Sequence, residues 1–107
     1  GKAVYGMLSE AIATMNNIPG MDTIKFQTEF KRNLIKDIYA DLGLLETYDE
    51  HTKNRSASFR DTLTNKQLKA ISDMELSYAQ TLVRFLPHAQ GITEPFVLID
   101  FLKEAKR

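Results

Sequence analysis

The side chains that could perform chemistry are concentrated in YDEHTKNRSASFRD, residues 48–61. Asp49, Glu50 and His51 are consecutive, and carboxylate and imidazole groups are common ligands of divalent metals. Neighbouring residues of a helix or turn point in different directions, however, and no HxxxH or ExxH spacing supplies further ligands. We therefore expect no metal site and no cofactor. Residues 54–56 match the N-glycosylation pattern, which is short enough to arise by chance.

Catalysis needs a titratable group beside a nucleophile or beside a second titratable group. The only histidines are His51 and His88, both predicted in loops, and the chain has no cysteine. Neither GxSxG nor HExxH occurs. His88 follows Pro87 at the end of a predicted helix, where the helix dipole favours a cation. We therefore expect no enzymatic activity, and the lack of cysteine excludes a zinc finger or a disulfide framework.

The charge balance disfavours phosphate or nucleic-acid binding. Fourteen Lys and Arg residues balance fourteen Asp and Glu residues, so the chain lacks the basic excess typical of a nucleic-acid binder. The most basic stretch is the second predicted helix, which carries Lys25, Lys31, Arg32 and Lys36. Asp37 and Asp41 interrupt this helix. A helical nucleic-acid-binding regulator is therefore an alternative and not the main hypothesis.

The elements that would position these groups are helices. Apolar residues recur at spacings of three and four over residues 4–15, 24–42 and 68–86, which places them on one stripe of an α-helix. The third stripe is the widest, and we expect that helix to be central.

Capping residues mark the ends of these helices. Asp22 or Thr23 is suited to begin the second helix, and Gly43 is suited to end it in the left-handed conformation. Thr64 and Gln67 have the spacing of a capping box at the start of the third helix. The chain therefore contains its own start and stop signals.

The last segment, TEPFVLIDFLKEAKR, predicts a fourth helix with Thr93 as N-cap. Residues 96–101 are also rich in strand formers, so a β-hairpin with LVRFL is the minority alternative. The whole chain, residues 1–107, reads as one all-α domain: a mostly antiparallel four-helix bundle. One long polar connection spans residues 45–62, within which ETYDEHTK is suited to a short helix.

The functional hypothesis is a non-enzymatic adaptor, regulatory or accessory domain that binds another protein or a second copy of itself. Its contact residues are soft or aromatic side chains on the flanks of the stripes: Met21, Phe26, Met74, Leu76 and Phe85. Burial of the same residues in the core is the competing interpretation. Because no N-cap precedes Val4, the soluble part of an envelope-anchored protein is a further alternative.

Overall fold

The computed structural model describes residues 2–54 and 59–106. The helices of this part are α1 Lys2–Ala13, α2 Ile24–Asp41, α3 Leu45–Asn54, α4 Asn65–Phe85 and α5 Pro95–Lys106. Single turns of 3-10 helix cover Thr14–Asn17, Phe59–Thr62 and Leu86–His88. No strand occurs in the described ranges, so the all-α prediction is confirmed. Residues 96–101 lie within α5, and the β-hairpin alternative is therefore wrong.

The starts of α2 and α4 follow the predicted capping residues. The hydroxyl of Thr23 accepts a hydrogen bond of 3.1 Å from the backbone N–H of Phe26. At α4, the Thr64 hydroxyl accepts from the N–H of Gln67 at 3.1 Å, and the N–H of Thr64 donates to the Gln67 side chain at 2.9 Å. These three hydrogen bonds satisfy backbone donors that a helix start leaves without intrahelical partners.

Helix α2 ends just before Gly43, the glycine predicted to end it. Gly43 has a φ of +72°, which costs little only for glycine. The N–H of Leu44 donates to the carbonyl of Tyr39 at 2.7 Å, and the N–H of Gly43 donates to the carbonyl of Ala40 at 3.1 Å. These two bonds form a Schellman motif, which turns the chain out of α2 and into α3.

The start of α5 differs by one residue from the prediction. Thr93 was expected as N-cap, but the helix begins at Pro95, and the carbonyl of Glu94 accepts from the N–H groups of Val97 and Leu98. Glu94 therefore occupies the N-cap position. Proline at the first helical position has a suitable φ and lacks only a donor that would have no intrahelical partner.

The central helix is α4, as expected, because it packs against α1, α2 and α5. Phe85 meets Phe101 and Tyr78 meets Lys106, so α5 runs antiparallel to α4. Helices α2 and α5 are parallel. Their first turns line one groove, and nearer their ends the carboxylate of Asp37 lies 3.0 Å from the ammonium of Lys103. The largest fully buried side chains are Met15, Met21, Phe30, Leu34, Ile38, Ile71, Tyr78, Leu82, Leu98, Ile99 and Leu102.

The connection between α2 and α4 is packed against the core. The rings of Tyr39, Tyr48 and Phe59 lie within 4.9–5.2 Å of one another, so aromatic contacts join α2, α3 and the turn that follows. Arg60 then forms an ion pair with the buried carboxylate of Glu75 on α4. Residues 55–58, which include most of the glycosylation pattern, lie outside the described residues.

Candidate protein-interaction surface

The exposed apolar side chains of the described residues are concentrated on α5. Phe96, Val97 and Phe101 are 60%, 42% and 46% exposed, whereas apolar side chains of this size are normally buried in a small domain. The other large exposed apolar residues are Ile24, at the first turn of α2, and Val83 on α4. A cluster of exposed apolar side chains marks a contact site more often than a single exposed apolar side chain does.

The amino-acid order of α5 explains this exposure. The run PFVLIDFL is apolar at seven of eight positions, so its apolar residues surround the helix. Leu98, Ile99 and Leu102 take the side that faces α2 and α4, and each is at most 2% exposed. Val97 and Phe101, one turn apart, consequently lie on the outer side of the helix.

The ring of Phe101 stacks on the ring of Phe85 of α4. The ring centroids are 5.5 Å apart and the planes differ by 26°. Phe85 is half-buried and also packs against the core. We call Phe85, Val97 and Phe101 the α4–α5 ridge. Its aromatic pair joins two helices.

Charged residues border the α4–α5 ridge with opposite signs on its two sides. On the α4 side, exposed Arg84 and His88 line a shallow depression together with Phe85. On the α5 side, Asp100 and Glu104 lie about 100° and 60° around the helix from Phe101, turned away from α4. Both carboxylate residues are exposed. The ridge thus has a basic rim, Arg84 and His88, and an acidic rim, Asp100 and Glu104.

The five contact residues predicted from the sequence do not form one surface. Met21 is 0% exposed and Phe26 is 4% exposed, so both belong to the core and offer a partner no area. Met74 packs against the core and Leu76 is half-buried. Only Phe85 belongs to the ridge. Val97 and Phe101 were not predicted as contact residues. The apolar residues on all sides of α5 could have indicated them, because one side of such a helix must remain uncovered when the other packs on the core.

Three of the four basic residues predicted on α2 share one face. Lys25, Arg32 and Lys36 are exposed, and their spacings of seven and four place them along one line of the helix. Lys31 is half-buried and lies on a different side. Glu29 is one turn from Lys25 on the same face, and its charge weakens the positive field there.

A second group of charges joins α2, α4 and α5. Burial raises the pKa of the Tyr78 hydroxyl above 10.0, and the carboxylate of Asp41 adds to this shift. The hydrogen bond to Asp37 raises the pKa of Lys103, whereas burial lowers the pKa of Lys106, whose ammonium lies 3.8 Å from the centre of the Tyr78 ring. These contacts pack three helices together, which is a structural role.

The remaining chemistry of the described residues is sparse. They contain no group of three His, Asp or Glu side chains that could hold a metal. The two histidines were predicted in loops, but His51 lies within α3, 6.0 Å from the ring of Phe59, and His88 lies exposed in the 3-10 turn that follows α4. An open groove of ≈ 680 Å³ separates α1 from α4, and its charged lining residues are Glu10 and Arg84. Among the described helices, none combines the length and the apolar character needed to cross a bilayer.

Comparison of the chain with protein-family models, with curated proteins and with solved structures gave no match.

Proposed function

We propose that this chain is a protein-interaction domain that binds its partner through the α4–α5 ridge. The observation that supports it is the stacked pair of Phe85 and Phe101, whose outer ring remains 46% exposed. Aromatic side chains in a fixed position supply large apolar area at a small cost in conformational entropy. Such residues dominate the binding energy of protein interfaces.

The surroundings of the ridge have the layout of an interface. An apolar centre contributes affinity through burial, and a charged border contributes orientation and rate of association. The basic and acidic rims provide that border on the two sides of Phe101. Replacing Phe101 by alanine should weaken partner binding about tenfold or more, because a central aromatic contact is worth at least about 1.4 kcal/mol.

Site-specific photo-crosslinking tests this proposal. A photoreactive phenylalanine analogue placed at Val97 should capture one defined protein in an extract of the cells that express the chain. The same analogue at Val83, which is 55% exposed but lies in the groove between α1 and α4, is the matched control. The product at position 97 should disappear when Phe101 is changed to aspartate. Identical products at both positions, or none at position 97, would contradict the proposal.

A second candidate function is nucleic-acid binding through the exposed line of Lys25, Arg32 and Lys36. Its support is the shared face of these residues on α2. Replacing all three by alanine should then reduce binding to duplex DNA or RNA, and binding should fall steeply with salt. Gel-shift measurements at low salt that show no complex for the unaltered chain would remove this candidate.

A further inference from the structure

We infer that the partner of the α4–α5 ridge is the same ridge of a second copy of this chain, so that two copies form a two-fold symmetric dimer. This inference rests on the proposed function and names its partner. It is carried by the arrangement of the two rims around Phe101. The ridge is apolar at its centre, basic along α4 and acidic along α5.

A two-fold axis that lies in the plane of contact and runs along the ridge, parallel to α5, makes this arrangement complementary to itself. In an isologous contact, residue i of one copy meets residue j of the other, and j meets i. With Phe101 near the axis, the two Phe101 rings face each other. Arg84 and His88 of each copy then lie opposite Asp100 and Glu104 of the other. The guanidinium of Arg84 in each copy then faces carboxylates of the other, and with the axis along the ridge no like charges are brought together.

Other kinds of partner match this surface less well. A uniformly acidic partner would be attracted by the basic rim and repelled by the acidic one, and a basic partner would meet the reverse conflict. A surface with both signs in the opposite order satisfies both rims, and the chain itself provides one. The chain has fourteen positive and fourteen negative residues, so two copies also approach without net repulsion.

The size of the ridge predicts a reversible dimer. A stable interface usually buries about 800 Å² on each partner, roughly a tenth of a small protein's surface. The surface of this chain is 6856 Å². Three ridge residues and four rim residues are fewer than the roughly 20–30 residues that each side of such an interface contributes. We therefore expect a weak contact, in which monomer and dimer exchange with protein concentration.

Paired charge reversals test the inference by sedimentation velocity over a range of concentrations. One variant carries Arg84→Glu, and the other carries Asp100→Lys together with Glu104→Lys. Each variant alone should dimerise at least tenfold more weakly than the unaltered chain, because like charges then face each other across both halves of the contact. An equimolar mixture should recover the original dimer level, because each rim then meets its opposite.

Controls separate loss of association from loss of folding. Lys69→Glu reverses a charge at a side chain that is 76% exposed on the first turns of α4, outside the rims, and it should leave dimerisation unchanged. Circular dichroism should show the same helicity for all variants. Phe101→Asp should abolish the dimer while retaining that helicity.

The results also distinguish this inference from the proposed function. A chain that stays monomeric at every concentration overturns the inference, while capture of a different protein at position 97 would leave the proposed function standing. A dimer that persists in all the variants, or a mixture that does not recover association, overturns the two-fold arrangement. If the chain is monomeric and position 97 captures nothing, both proposals fail.

Discussion

Glu75 is a buried carboxylate, 3% exposed, whose ion pair with Arg60 attaches the long connection to α4. Changing Glu75 to alanine leaves a guanidinium that has lost this carboxylate. Fully buried pairs lose roughly 3–5 kcal/mol in this way, and the 34% exposure of the Arg60 side chain reduces the expected loss to about 2 kcal/mol. Urea unfolding followed by circular dichroism measures it.

A second ion pair on the same helix provides the control. Lys69 and Asp73 are 2.9 Å apart, one turn from each other, and both are well exposed. Asp73→Ala should lower the free energy of unfolding by less than about 0.5 kcal/mol. Equal losses for Glu75→Ala and Asp73→Ala would show that the buried pair does not anchor the connection. Replacing Arg60 and Glu75 together by apolar residues should restore part of the loss.

The raised pKa of Tyr78 predicts how the free energy of unfolding changes at alkaline pH. Burial raises the pKa of Tyr78 in the folded chain, so the folded state holds this proton more tightly than the unfolded state does. The resulting stability is present below pH 10 and is lost as the pH rises through the folded value. Tyr78→Phe should therefore make the alkaline decline shallower, as measured by urea unfolding at several pH values. An unchanged decline would mean that Tyr78 does not control it.

At the scale of the element, residues close to one another in the chain determine where a helix ends. Gly43→Ala should destabilise the chain by about 1 kcal/mol, because alanine is strained at the φ of +72° required there. Apart from Gly43 itself and its two chain neighbours, no atom lies within 4 Å of the added methyl group, so backbone strain is responsible. Gly43→Asn should lose less, because asparagine tolerates this conformation better. Thermal unfolding compares them, and equal losses would contradict this account.

Features governed by neighbouring residues could be predicted from the sequence. Gly43 and the capping box of Thr64 depend on residues close by in the chain, and both were predicted correctly, while Thr23 was one of the two residues predicted as the cap of α2. Of the three residues of the α4–α5 ridge, only Phe85 was predicted from the sequence as a contact residue. An apolar stripe shows which side of a helix is buried, but it does not show which neighbour covers a flank. The burial of Met21 and Phe26 depends on packing between distant segments, and no periodicity within one helix contains that information.

The same distinction applies to α5. Its caps and charges predicted a helix, but its apolar residues surround it, so periodicity could not divide them between core and solvent. Contact with α2 and α4 makes that division, because two helices cover one side and leave the other open. The proposed contact surface therefore lies on the open side of α5, at Val97 and Phe101.

At the scale of the whole molecule, the described helices share a common core, and this predicts cooperative unfolding. Leu34 on α2, Leu82 on α4 and Leu102 on α5 are each 0% exposed and belong to the same buried cluster. Changing any one to alanine should cost about 3 kcal/mol, since it removes buried apolar area and leaves a cavity. Because the cluster is continuous, each change should destabilise all the helices together.

The measurement compares two probes of unfolding on each variant. Helicity from circular dichroism and tyrosine fluorescence should report the same midpoint in urea, shifted downward by a similar amount in all three leucine variants. Val83→Ala is the control, because Val83 is 55% exposed and its truncation should change the free energy of unfolding by less than about 0.5 kcal/mol. Separate midpoints for the two probes would show that part of the structure unfolds independently of the rest, and the ridge would then have to be tested in a partly unfolded chain.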